Sequence, residues 1–249
     1  MFKYADGWGS FKLVEATLDA MRHFREEDYD YFINLSGQCY PLRPIGDIKQ
    51  RLIAARGRAF MEYEPFPRPR WADEGGGYRR TDRYWIKPFR TMGAWSLPRL
   101  AGIPMGMEPY GGSQWFCLPK RHVEYVLDLL DEHPEIVRFY RRSFIPDEMF
   151  FQTILMNSEL RDEVVNDSKR FTDWSKRCVP TPAILLAEDV PRLERSGQFF
   201  ARKFDTTMDS RVLDLLDLRL MKRPEFEDDG GDGPDDRGGG RRPLIRTVS

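Results

Sequence analysis

Two adjacent carboxylates, two adjacent cations and one tryptophan are the residues of this chain best suited to do chemistry. Asp147 and Glu148 stand in "IPDEMFF", after a proline and ahead of an apolar run. A carboxylate in a first helical turn meets uncommitted backbone amides and the positive end of the helix dipole, which suits either a cap or a general base. Arg202 and Lys203 follow an aromatic pair in "GQFFARKFD", next to a possible strand end. Such neighbours either neutralise a diphosphate leaving group or form a solvated surface pair. Trp174, in "KRFTDWS", offers an indole face to the C–H face of a sugar, or else fills a core.

Metal chemistry finds little support. The three histidines, His23, His122 and His133, match no HExxH or paired-ligand spacing. "DYD" at Asp28 to Asp30 is literally a DxD, but it precedes a strand rather than following one, and reads as a solvated turn. The acidic run from Asp228 to Asp236 falls in a segment without apolar patterning. Cys39, Cys117 and Cys178 are an odd number with no CxxC pair, which indicates neither a disulfide framework nor a zinc site. No Walker A motif, no GxGxxG after a strand and no GxSxG elbow is present.

These groups need elements to hold them. Leu13 to Phe24 has helical periodicity, "YFINLSG" reads as a strand, and Ile45 to Ala55 returns to helical spacing. Strand, loop and helix in that order place Ser36 to Pro44 at a plausible site edge, because ligands in such units bind beyond strand C-terminal ends. Glu62 to Met107 is irregular and rich in Pro, Gly, Arg and aromatic residues, which predicts an ordered, substrate-facing excursion. A strand and a helix from about His122 to Glu132 follow, with Val123, Val126, Leu127 and Leu130 as the buried stripe. "FIPDEMFFQTILMNS" reads as one helix with Pro146 in its first turn, and "VLDLLDLRLM" as the last. Alternating strands and helices make the fold class α/β.

The totals bound the function. The 249 residues carry 39 basic and 40 acidic side chains for a net charge of −1, enough chain for a sizeable core and too balanced for bulk nucleic-acid binding. The longest apolar runs fall far short of the roughly 18 residues a membrane span needs, and "MFKYADGWGSFK" lacks a signal-peptide core. The chain thus reads as cytoplasmic, without a membrane span. Residues 224–249, rich in Gly, Asp and Arg, read as a disordered tail behind a folded domain at 1–223.

Six ordered blocks, "WGSFKLVEATLDAM", "YDYFINLSGQCYPLRP", "GGSQWFCLPKRHVEYVL", "FIPDEMFFQTILMNS", "RFTDWS" and "FFARKFD", together resemble the core-2/I-branching N-acetylglucosaminyltransferase and peptide O-xylosyltransferase family, glycosyltransferase family 14. The resemblance spans about Trp8 to Asp217. It implies a GT-A-like fold that moves GlcNAc or xylose from a UDP-sugar to a hydroxyl of a glycan, glycoconjugate or other acceptor, with inversion and with no metal or other cofactor. Glu148 then matches the general base, Lys203 with Arg202 the phosphate-binding cations, and Trp174 an acceptor-stacking platform. Asp147, Arg80 and Arg83 fall in blocks that contact the acceptor, and Ser36, Gly37 and Cys39 in the loop that lines the cleft. Two departures matter: Cys39 stands where the family usually has an acidic residue, and "CVPTPAIL" lacks the family's upstream arginine. The family also has a βαβ segment ahead of the "WG" block, so the chain reads as lacking the N-terminal part of the nucleotide-binding subdomain. That departure motivates an alternative, a catalytically inactive carbohydrate-binding remnant.

Overall fold

A computed structural model describes residues 9–86, 95–175, 181–222 and 246–248. The described residues form a mixed α/β structure that divides into two compact units. The first takes the chain up to Asp28, then Phe32–Asn34 and Arg58–Ser168. The second takes Tyr29–Tyr31, Leu35–Gly57 and the chain from Lys169 onward.

In the first unit, strand Phe116–Pro119 lies beside Tyr31–Asn34 on one side and Ala59–Met61 on the other, and Val164–Val165 follows at the edge. The Ala59–Met61 strand runs antiparallel to Phe116–Pro119, with Phe60 opposite Cys117, and parallel to Val164–Val165. Both middle strands are buried along their whole length, as a strand covered on both faces must be. Helix Lys120–Glu132 covers the sheet with the stripe Val123, Val126, Leu127 and Leu130, and helix Lys12–His23, with Val14, Leu18 and Met21 buried, packs against that helix and the Pro146–Glu148 turn. At about 1.5–3 kcal/mol for each fully buried aliphatic side chain, that four-residue stripe suffices to fix the helix against its neighbours.

The Glu62 to Met107 segment is built from short elements: a strand Glu64–Pro65, a 3₁₀ segment Pro69–Gly77, helix Tyr78–Thr81, and a hairpin of Arg83–Ile86 with Trp95–Pro98. Residues 87–94 lie outside the described residues, as do Cys178 and residues 224–245 and 249 of the expected tail. Within that tail, Arg246–Val248 forms a short strand.

One expected element is corrected. The single helix predicted over "FIPDEMFFQTILMNS" is two elements, a 3₁₀ turn Pro146–Glu148 and an α-helix Phe150–Met156. Ile145 enters the turn at φ +47°, and Met149 breaks it at φ −137°. The cause is tertiary. The Glu148 carbonyl accepts from the Gly112 N–H at 2.8 Å, whereas Thr153 N–H donates to Met149, so the α-helical ladder starts one residue later. Glu148 therefore lies ahead of the α-helix rather than in its first turn.

In the second unit, strands Arg170–Thr172, Phe200–Arg202 and Tyr40–Pro41 form a small sheet, the first pair parallel and the second antiparallel. Helix Arg211–Lys222 buries Val212 and Leu216 against Leu42, Leu185, Leu193 and Phe204. The Tyr40 hydroxyl donates to Asp217 at 2.6 Å, which ties the strand after the Ser36 turn to that helix and pushes the phenol up to about 12.

Candidate active site

The first unit gathers Asp147, Glu148 and Arg80. Arg80 Nη1 donates to Glu148 Oε2 at 2.8 Å, its Nη2 donates to Glu74 Oε1 at 3.2 Å, and its Nε bonds Glu74 Oε2. The guanidinium carbon lies 3.6 Å from the ring centroid of buried Trp71, within reach of a cation–π contact. Arg80 is 4 % exposed in its side chain and Glu148 is 31 % exposed. Glu148 Oε1 makes no hydrogen bond among the described residues. The arrangement therefore has one carboxylate oxygen fixed and the other uncommitted, the geometry a general base needs to accept a proton from an incoming hydroxyl.

Asp147 is different. It is 7 % exposed, and its Oδ1 has no partner among the described residues. Burial, with the Glu148 charge adding to it, pushes the Asp147 carboxyl up to about 7.

Two local features hold this arrangement. Gly112 approaches the chain so closely that a Cβ there would fall 1.8 Å from the Glu62 carbonyl oxygen, so only glycine brings its N–H to Glu148. Gly77, at φ +105°, starts the helix that carries Arg80 and faces the rings of Phe66 and Trp71. Arg83 does not join the cluster; its Nε and Nη2 donate to Ser96 Oγ and O across the hairpin.

The second unit gathers the cations and the turn. Ser36 and Cys39 close a tight turn around Gly37, with Cys39 N–H donating to Ser36 O at 2.9 Å and the two side chains in contact at 3.3 Å. That turn leads into Tyr40–Pro41, which pairs with Phe200–Arg202. Arg202 ends its strand and Lys203 follows at once. Burial lowers the Arg202 guanidinium from its ordinary value, partly offset by the Cys39 thiol and deepened by Arg170. The Lys203 carbonyl accepts from Leu185 N–H at 2.9 Å, but its side chain makes no hydrogen bond or ion pair among the described residues, although Asp205 feels its charge. Trp174 is 38 % exposed, on a turn that Asp173 braces by accepting from Ser175 N–H and from Arg192, both at 2.8 Å.

Sequence reasoning missed Glu74 and Trp71, the anchor and platform of Arg80, and Arg170, 6 % exposed at the start of the strand beside Arg202. Only the glycine run in "EGGGYRR" hinted at a sharp turn bringing Glu74 back to Arg80. Among the described residues, no group of three or more His, Cys, Asp or Glu side chains could hold a metal ion. Cavities of about 490 and 410 Å³ in the first unit take in none of the predicted residues. Among the described residues no helix is long and apolar enough to cross a membrane.

Comparison with known proteins supplies a context for this geometry. A family described as "Core-2/I-Branching enzyme" matches residues 4–193. The chain is 30 % identical over 234 residues to xylosyltransferase 2 of Rattus norvegicus, which covers 86 % of this chain and 26 % of that protein. It is 29 % identical over 238 residues to human xylosyltransferase 1, covering 88 % of this chain and 24 % of the relative. The chain thus spans about a quarter of the length of the curated relatives it matches.

Proposed function

Because this chain belongs to the Core-2/I-branching enzyme family, we propose that it is a glycosyltransferase that moves a sugar from a UDP-sugar to an acceptor hydroxyl with inversion. Xylose is the favoured sugar over GlcNAc, since the relatives reported above bear the name xylosyltransferase. The observation that carries the proposal is Glu148, with Oε2 held by Arg80 and Oε1 uncommitted. In this reading Glu148 takes the proton from the acceptor hydroxyl, which attacks the anomeric carbon in one displacement as the bond to the diphosphate breaks. Lys203 and Arg202 offset the charge that builds on the leaving diphosphate, in the place a metal ion would otherwise take. Trp174 stacks on the acceptor, and the Ser36–Gly37–Cys39 turn borders a cleft of a GT-A-like fold.

UDP release from UDP-xylose and UDP-GlcNAc, measured with a serine-containing peptide and with EDTA present, tests the proposal. Glu148→Gln is expected to leave UDP binding intact and to slow transfer by about a hundredfold, the usual scale for losing a general base. Lys203→Ala is expected to weaken UDP binding. Full activity in Glu148→Gln rules that residue out as the base. UDP-sugar-independent glycan binding without any turnover instead points to a carbohydrate-binding remnant.

A further inference from the structure

Arg80 falls in a block whose resemblance implies acceptor contact, yet its side chain is committed elsewhere. It is 4 % exposed, and all three kinds of nitrogen in its guanidinium donate to carboxylates. Glu74 receives two of those bonds and Glu148 one, so Glu74 is the anchor and Glu148 the group being held. Trp71 lies under the guanidinium and fixes the plane in which the fork can point. The backbone repeats the linkage: the Arg80 carbonyl accepts from Phe144 N–H at 3.2 Å, four residues before Glu148, and the Glu148 carbonyl accepts from Gly112. Side chain and main chain therefore register the Pro146–Glu148 turn against the helix that carries Arg80.

We propose that Arg80 and Glu74, on the Trp71 platform, are positioning residues for Glu148 rather than acceptor contacts. Arg80 occupies Oε2 and thereby turns Oε1 toward the acceptor hydroxyl. Glu74 acts at one further remove, by setting the plane of Arg80. The inference rests on the reading of Glu148 as the base.

A lysine at 80 keeps the charge but has no planar fork, and a glutamine at 74 keeps the shape but not the charge. Misplacing a reacting group by about 1 Å is enough to lose on the order of a hundredfold in rate. In the full chain, with UDP-xylose and a serine-containing peptide, Arg80→Lys is expected to lower kcat by roughly ten- to a hundredfold, with the KM for peptide within about twofold of wild type. Glu74→Gln is expected to lower kcat in the same direction by less, about three- to tenfold. In a Glu148→Gln background, Arg80→Lys is expected to have no further effect, because the group it positions is gone.

A peptide KM that rises with kcat unchanged in Arg80→Lys, together with a wild-type Glu74→Gln, makes Arg80 an acceptor contact and overturns the inference. Additive losses in the double variant overturn it as well. Should Arg80→Lys fail to fold, Glu74→Gln alone decides, since Glu74 is a third exposed and is not in the predicted acceptor set. A fully active Glu148→Gln, or a wild-type chain without turnover, refutes the base assignment and takes this inference with it. An impaired Glu148→Gln beside wild-type kcat in both Arg80→Lys and Glu74→Gln refutes the positioning role only.

Discussion

Replacing Asp147 by asparagine should make this protein more stable at neutral pH, and by an amount that grows with pH. The carboxyl is 7 % exposed, its Oδ1 has no partner among the described residues, and burial together with the adjacent Glu148 charge pushes it up to about 7 from an ordinary 3.8. The folded pKa lies above the unfolded one, so between the two values the native state binds more protons and stability falls as pH rises. The loss begins near pH 4 and is complete just above pH 7. At 1.36 kcal/mol per pH unit, the interval from 3.8 to about 7 corresponds to at most about 4 kcal/mol. That is a large part of the 5–15 kcal/mol that typically separates folded from unfolded chains. Asparagine keeps the size and hydrogen-bonding capacity of the protonated acid and never ionises. Urea unfolding of both proteins from pH 4 to pH 8 is the assay: the two should be similar at pH 4, and the variant should gain steadily up to pH 7. Parallel curves across the whole range would show that Asp147 ionises in the folded protein as readily as in the unfolded one, and would refute the argument from burial.

His122 should act in the opposite direction. Burial, with Arg121 adding to it, pushes its imidazole down to about 4, so its neutral form contributes stability that is full above pH 6.5 and is lost as pH falls toward 4. His122→Gln should flatten the acid side of the same unfolding profile, by up to about 3 kcal/mol. Gly112→Ala should place its Cβ against the Glu62 carbonyl and displace the N–H that holds the Glu148 carbonyl. A destabilisation of about 1–3 kcal/mol is expected, read by thermal unfolding, together with slower transfer.

The parts of this protein that depend on local periodicity were legible in the chain. The stripe Val123, Val126, Leu127 and Leu130 lies in the helix Lys120–Glu132, because apolar residues at three- and four-residue spacing share one helical face wherever a sheet is present to cover. The strand in "YFINLSG" and the turn after it are likewise short-range: Tyr31–Asn34 is extended, and Ser36 and Cys39 close on each other across three residues. Arg202 and Lys203 could be placed at a strand end because the aromatic pair before them has nowhere polar to go.

What the sequence determined by itself, then, was the amphipathic helices, the strand in "YFINLSG" and the six ordered blocks that point to one family. Only the tertiary structure decided how Glu148 is presented. Its partner Arg80 lies 68 residues away, and the bond that splits the "PDEMFF" helix comes from Gly112 in another strand region. Neither contact leaves a trace in local propensity, since a carboxylate before an apolar helical run reads the same whether its carbonyl continues the ladder or is captured from outside. Asp147 makes the same point with charge. Adjacent in sequence to Glu148 and chemically its near twin, it differs because packing removes it from water, and desolvation is a property of the fold and not of the residue.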